Sequence, residues 1–355
     1  MSQELTQHVQ QSIQNSVGKL LGGGNQITAI EAIIGGVSGS INGVVSLKSQ
    51  FSEAFPFKRL VAKFAPGVGK RERYGSGILK EHLNDGLCVG PFVNINDPDL
   101  HLSRYIPGLT LHQMVQIGGI DRWPFFRQVA IANRDMWLNT LDENNGDCTS
   151  NYIQKIEDTR KLLLQTEIIC DNYLIPVSEL CDFQLVLNGK RLPSISGLFD
   201  EMSAHIKGTK TFATQHGDEG AGNYIIYDDT IYVVDNEKVG KRPIGEGIAK
   251  LTCWFPAILC ATDFFNASIK HDSLHIDGKP MVPSHTKLLA QNSVQLIKNS
   301  DVTDYIDPEA IRAFCACYFF REIQWLTARG REGAKMTIFE MALHQLMCMH
   351  EKTDW

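Results

Sequence analysis

The stretch His216-Gly217-Asp218-Glu219-Gly220-Ala221-Gly222-Asn223 sets an acid and an amide five residues apart in a glycine-rich segment. Two apolar runs follow, Asn223-Tyr224-Ile225-Ile226-Tyr227 and Thr230-Ile231-Tyr232-Val233-Val234, around Asp228-Asp229. That pattern predicts a β-hairpin. The hairpin delivers a second acid in Val233-Val234-Asp235-Asn236-Glu237. Asp218 can accept a proton from a hydroxyl. Asn223 and Asp235 are hard oxygen donors of the kind that hold Mg2+ against phosphates. A lone His-Gly-Asp is usually an ordinary turn. The ordered set of Asp, Asn and a hairpin-borne Asp fits phosphoryl transfer.

Working outward towards the N-terminus, Arg59-Leu60-Val61-Ala62-Lys63-Phe64 reads as a strand with a lysine among apolar neighbours. A charge in a buried strand needs a partner, either a phosphate or an acid on the next helix, unless the lysine snorkels to the surface. Helical texture follows from 70 to 84, a segment that carries both Glu72 and Glu81. Before this strand, Gly35-Gly36-Val37-Ser38-Gly39-Ser40-Ile41-Asn42-Gly43 separates two β-branched runs. Glycines there allow backbone N–H groups to approach phosphate oxygens, although a plain hairpin turn has the same composition.

These motifs together resemble the aminoglycoside phosphotransferase and choline kinase-like family, which has the protein-kinase-like fold. The likeness covers about residues 27–350, taking in the 216–223 loop, the Asp235 strand, Leu60-Val61-Ala62-Lys63, Arg71-Glu72, the turn from Ser103 to Leu111 and the helix start Ile248-Ala249-Lys250-Leu251. It implies an α+β, bilobal chain with a small β-rich N-lobe over 1–105 and a mostly helical C-lobe over 106–355. It implies ATP and Mg2+ as cofactors. Asp218 would be the base, with Asn223 beside it, and Asn223 and Asp235 the metal ligands. Lys63, held by Glu72, would contact the α/β-phosphates, and Ser38, Gly39 and Ser40 would cover them. Adenine would lie against Leu100, His101 and Leu102. The chain departs from the pattern at Glu219, at Ala221, at Asn236 beside the metal position, and at Gly247, where relatives carry a helix-start acid.

Composition sets the limits. The 355 residues carry 34 Lys+Arg and 40 Asp+Glu, a net of −6. Residues 1–100 hold nine basic and eight acidic side chains, so nearly all the acidity lies beyond them. An acidic chain is a poor default partner for nucleic acid. The nine cysteines are scattered and do not form a disulfide framework, and Cys315-Ala-Cys317 has no second pair at zinc-site distance. No basic-then-apolar leader opens the sequence, and no apolar run approaches the roughly 20 residues that span a bilayer. The expectation is a cytoplasmic protein with no membrane partner.

Beyond Tyr105-Ile106-Pro107-Gly108 the texture predicts helices over 110–118, 123–141, 150–170, 174–186, 195–206, 244–266, 284–299, 307–328 and 334–350. The acceptor is expected to be a small-molecule hydroxyl. Glu219, Glu237 and Glu246 are the candidate acceptor-binding acids, and the acidity favours a cationic compound such as an amino sugar, amino alcohol or guanidino compound. Trp254, Phe255, Phe264, Phe265 and Trp325 could cage an ammonium, or simply pack the core at helical spacing. A kinase-like binding module and an atypical Ser/Thr protein kinase are the alternatives. The first commonly lacks one of Lys63, Asp218, Asn223 or Asp235, and the second would carry Asp-Phe-Gly and Ala-Pro-Glu.

Overall fold

The computed structural model describes residues 2–20, 27–33, 40–49, 56–83, 86–118, 123–142, 148–281, 284–328 and 331–353. The chain divides into two compact units. The first is Met1–Gln113 with His216–Asp218 and Gly222–Gly240; the second is Met114–Gln215 with Glu219–Ala221 and Lys241–Trp355. The chain therefore returns to the first unit for the two ends of the 216–223 loop and for the hairpin after it, while Glu219–Ala221 at the middle of the loop belong to the second.

The first unit begins with α1 (Ser2–Leu20), β1 (Ile27–Ile33), β2 (Ile41–Leu47) and β3 (Arg59–Phe64). Then come α2 (Val68–His82), β4 (Leu87–Val89), β5 (Phe92–Val93), β6 (Leu100–Arg104) and β7 (Leu109–Thr110). The second unit supplies α3 (Leu111–Gly118), which begins in the first, then α4 (Trp123–Asn139) and α5 (Cys148–Gln165). It continues with β8 (Glu167–Cys170), β9 (Tyr173–Pro176), β10 (Gln184–Leu187), β11 (Lys190–Ser194), α6 (Ile195–Gly208) and β12 (Phe212–Gln215). The hairpin β13 (Tyr224–Tyr227) and β14 (Thr230–Val233) belongs to the first unit. The chain ends with β15 (Gly240–Pro243), α7 (Ile244–Leu259), β16 (Ala261–Lys270), β17 (Ser273–Met281), α8 (Ser284–Lys298), α9 (Pro308–Ala328) and α10 (Lys335–His350).

In the first unit, five antiparallel strands run in the order β1-β2-β3-β6-β5. Ile13 and Val17 of α1 seal one side against Val45, Leu47, Leu60, Ala62, Leu100 and Leu102, all buried. A second sheet, β4-β14-β13-β7, sets β14 parallel to β4 with Ile231 opposite Leu87. This pairing holds the strand that precedes Asp235 within the unit that carries Lys63. The hairpin expected around Asp228-Asp229 is present, and both residues adopt left-handed backbone, φ 51° and 56°.

The second unit is mostly helical, but it carries a six-stranded sheet, β11-β10-β17-β16-β8-β9. Three expected helices are corrected here. The 150–170 helix stops at Gln165, the 174–186 segment contains β9 and β10, and the 244–266 helix stops at Leu259 before β16. Tight two-residue turns explain this. Asp171-Asn172, Asn188-Gly189 and His271-Asp272 all have positive φ, the geometry that reverses a twisted strand pair. Ile168 and Cys170 are buried while Glu167 and Ile169 are exposed, a period of two rather than 3.6. Among the described residues no helix is long and apolar enough to cross a membrane.

Candidate active site

Lys63 sits on β3 with only 8% of its side chain exposed, opposite His101 of β6. Its Nζ lies 2.9 Å from Glu72 Oε1 and 3.3 Å from Glu237 Oε1, and it donates to Asp235 Oδ1. Burial opposes the charge, but the Glu72 and Asp235 carboxylates outweigh it and hold the ammonium above its ordinary pKa. For Glu72 burial dominates and raises the carboxyl against the pull of Lys63. Glu72 is the acid that meets the lysine; Glu81 is exposed.

Two glycines place α2 for this contact. A Cβ on Gly69 would overlap the carbonyls of Asp97 and Leu100, and one on Gly75 would overlap Asn236 O. The helix thus lies directly on β6 and on the turn after β14. Glu72 uses its second oxygen to accept from Asn236 N–H at 2.8 Å. One carboxylate therefore ties the strand lysine to the backbone beside Asp235.

Asp235 itself has φ 62° and ψ 55°, a left-handed conformation that costs a non-glycine residue free energy and needs surrounding support. Support comes from both sides. Val234 N–H donates to Asn223 O at 3.0 Å, and Asn236 Nδ2 donates to Ser76 Oγ at 2.9 Å. His216 Nε2 reaches two oxygens, Val234 O at 3.1 Å and Asn236 Oδ1 at 3.2 Å, so its proton is assigned to Nε2. Asn236 is buried at 4% exposure and links α2 to His216. Gly217 follows His216 with φ 81°, the bend that turns the chain towards Asp218. Asn223 Nδ2 closes the loop onto Asp218 O at 2.8 Å.

Asp218 is 40% exposed at its side chain, and Lys238 Nζ lies 2.7 Å from its Oδ2. Lys238 and Arg71, which is 3.2 Å from Glu237 Oε2, were not singled out as site residues from sequence. The only available signal was their position, three residues after Asp235 and one before Glu72.

The remaining expected residues are distributed as follows. Ser38 and Gly39 lie outside the described residues; Ser40 precedes β2 and is partly buried. Leu100, His101 and Leu102 do not form a free connecting segment. They are the first three residues of β6, paired with β3, and Leu102 also pairs with Val93 of β5. Beyond β6 the chain runs from Tyr105 to Gly108 before β7. His101 is 8% exposed, and burial, with the nearby Lys63 and Arg73 charges, pushes its imidazole down to about 4.

Of the three acids expected to bind the acceptor, Glu237 belongs to the Lys63 cluster. The other two are consumed within the second unit. Lys250 Nζ lies 3.0 Å from Glu219 Oε2 and 3.1 Å from Glu246 Oε1. Glu246 also accepts from Tyr152 and Lys155 and lies 3.7 Å from Arg242. Burial pushes Glu246 up, and the Lys250 and Arg242 cations, with Tyr152, more than reverse it. A buried carboxylate so neutralised has no charge left for a ligand. Trp254, at 4% exposure, packs in the core.

Among the described residues no three His, Cys, Asp or Glu side chains converge to hold a metal alone. The donor chemistry nevertheless fits Mg2+, which is commonly bound through one or two protein oxygens plus phosphates. Glu72, Asp235 and Glu237 face Lys63 and Arg71, three negative groups for two positive ones. The residual negative charge suits a divalent cation.

No family model matches the sequence, and no curated protein matches it. Solved structures do match in fold. A thermostable mutant of aminoglycoside phosphotransferase APH(4)-Ia, in ternary complex with ADP and hygromycin B, aligns with TM-score 0.55 at 12% identity. The alignment covers 95% of this chain and 98% of that one. The apo form gives 0.54 at 12% identity over 93% and 98%. Choline kinase from Cryptosporidium parvum Iowa II aligns at 0.49 with 13% identity over 97% and 95%. The fold of this chain is the kinase-like fold of the aminoglycoside phosphotransferases.

Proposed function

We propose that this protein is an ATP-dependent phosphotransferase that uses Mg2+ to move the γ-phosphoryl group onto a hydroxyl of a small molecule. The observation that carries the reading is the Lys63–Glu72–Asp235 cluster, joined through Asn236, His216 and Asn223 to the loop that carries Asp218. Asn223 and Asp235 would hold the metal, which when bound neutralises phosphate charge. Lys63 binds phosphate oxygens while Glu72 keeps its Nζ in place. Asp218 orients the acceptor hydroxyl and takes its proton at a carboxylate oxygen. Arg104 N–H and Tyr105 N–H are bonded to Pro91 O and Arg59 O, so Ile106 offers the next N–H along the connection for the adenine edge.

With Glu219 and Glu246 neutralised, the preference for a cationic acceptor rests on the acidity beyond residue 100 and on exposed Asp301, Asp304 and Asp307. A panel of aminoglycosides, amino alcohols, hydroxy amino acids, sugars and guanidino compounds, read by ADP release and mass gain, tests the reading. The expected result is one added phosphoryl group on one class, lost in Asp218→Asn with nucleotide binding retained. If millimolar Mg·ATP fails to raise the melting temperature, the chain is a binding module instead.

A further inference from the structure

A second cluster of ionisable groups lies far along the sequence, on α10, and the phosphotransfer reading does not use it. Glu340, His344 and Cys348 follow one another at intervals of four, so they share one face of the helix. Cys348 Sγ is 3.7 Å from His344 Nδ1, within hydrogen-bond range for sulfur. Arg312 of α9 donates to Gln345 Oε1 at 3.0 Å, which holds its guanidinium beside this stretch of α10. Glu340 is 3% exposed and accepts from Asn188 Nδ2 at 3.3 Å. Among the charges on neighbouring elements, Glu201 of α6 pairs with His350 and Lys190 of β11 with Glu351, and β17, which also packs against α10, carries His275 and Asp277.

The cluster sets Cys348 apart from the other described cysteines. Burial pushes Cys170, Cys253 and Cys260 up, and Cys317 up to about 12. At Cys348 burial also acts upward, but the His344 hydrogen bond, Thr353 and the nearby Arg312 charge outweigh it and bring the thiol down to about 7. His344 is raised in turn, through its bond to Cys348 and the Glu340 charge. His344 is exposed, so the pair opens to solvent on the imidazole side although Cys348 itself is 8% exposed. A thiol bonded to an imidazole and beside a cation is the environment that makes sulfur nucleophilic, and the exposed His344 is the side from which a small oxidant would approach it.

We propose that Cys348, paired with His344 and flanked by Arg312, is a modification site that reacts with small hydroperoxides. The thiolate attacks one peroxide oxygen, an S–O bond forms and the O–O bond breaks. The departing hydroxide of hydrogen peroxide, or the alkoxide of an alkyl hydroperoxide, takes the proton from His344 Nδ1 and leaves as water or the alcohol. Sulfur is oxidised by two electrons to sulfenic acid as the peroxide is reduced. Cys88, the exposed cysteine among those described, is the internal comparison.

The test uses the full chain, labelled with iodoacetamide from pH 5 to 9 and mapped by peptide mass. Hydrogen peroxide followed by dimedone traps the sulfenic acid. Cys348 should label with a midpoint near neutrality, ahead of Cys88 at pH 7, and should carry the dimedone adduct. His344→Gln, a change at an exposed position, should move that midpoint towards the ordinary thiol value of about 8.5 and slow labelling at pH 7 roughly tenfold. Cys348→Ser should remove the adduct. Faster labelling of Cys88 at pH 7, a Cys348 profile unaltered by His344→Gln, or no adduct at Cys348 overturns the proposal. None of these readouts depends on phosphotransferase activity.

Discussion

Lys238 Nζ lies 2.7 Å from Asp218 Oδ2, so the candidate base is ion-paired within its own unit. Both side chains are nearly half exposed, 45% and 40%. Such a pair adds at most about 1 kcal/mol to stability. Lys238→Met should therefore lower the melting temperature by no more than about 2 °C. Under the proposed function it should lower turnover about tenfold, because the cation stands where phosphate charge and base meet. Unchanged ADP release on the identified acceptor would reduce the pair to a surface contact.

Gly75 and Gly77 make a matched test on one helix. A Cβ at 75 overlaps Asn236 O, whereas one at 77 meets nothing within 4 Å. Gly75→Ala should cost about 1–3 kcal/mol and abolish the thermal shift with Mg·ATP, since α2 carries Glu72. Gly77→Ala should stabilise by about 0.5–1 kcal/mol through helix propensity and leave nucleotide binding intact. Urea denaturation and nucleotide thermal shifts measure both.

His101 predicts an acid-sensitive step in stability. Its folded value of about 4 lies below the ordinary 6.5, so between them the unfolded chain binds the extra proton. Stability is fully present above about pH 6.5 and falls as the pH drops through 4, by about 3 kcal/mol. His101→Phe should flatten that window in chemical denaturation at stepped pH. An unaltered slope would place the acid sensitivity elsewhere.

Lys250 joins Glu219, which follows the candidate base, to Glu246 of α7. Removing one partner of a buried ion pair leaves charge that solvent does not reach. Lys250→Met should cost about 3 kcal/mol, and Lys250→Arg much less. Adding Glu219→Gln to Lys250→Met should recover part of the loss in a double-mutant cycle. A fully additive result would show that the two side chains do not interact.

Much of the site could be read from the residues because its chemistry is carried by short-range patterns. The five-residue spacing of Asp218 and Asn223, and the acidic turn at 228–229, are local, and local geometry follows from local sequence. Lys63 was recognisable because a charge among apolar strand residues needs a partner. Asn188-Gly189 also announced a strand reversal locally, yet the surrounding apolar runs fit a buried helix equally well. Neighbours outside the segment resolve that ambiguity: β10 pairs with β17, nearly 90 residues away.

Sequence by itself thus determined which groups could do chemistry and the order in which they occur. Only the tertiary structure decided which charges remain available. Glu219, Glu237 and Glu246 look alike in the sequence as spare acids. Folding buries all three against Lys250, Lys63 and Arg71, or the Tyr152–Lys155–Arg242 group, while Asp218 stays partly exposed. The reason is the cost of desolvation. An ion taken out of water must find a counter-ion, and residues far apart in the sequence meet that demand only once the chain has folded.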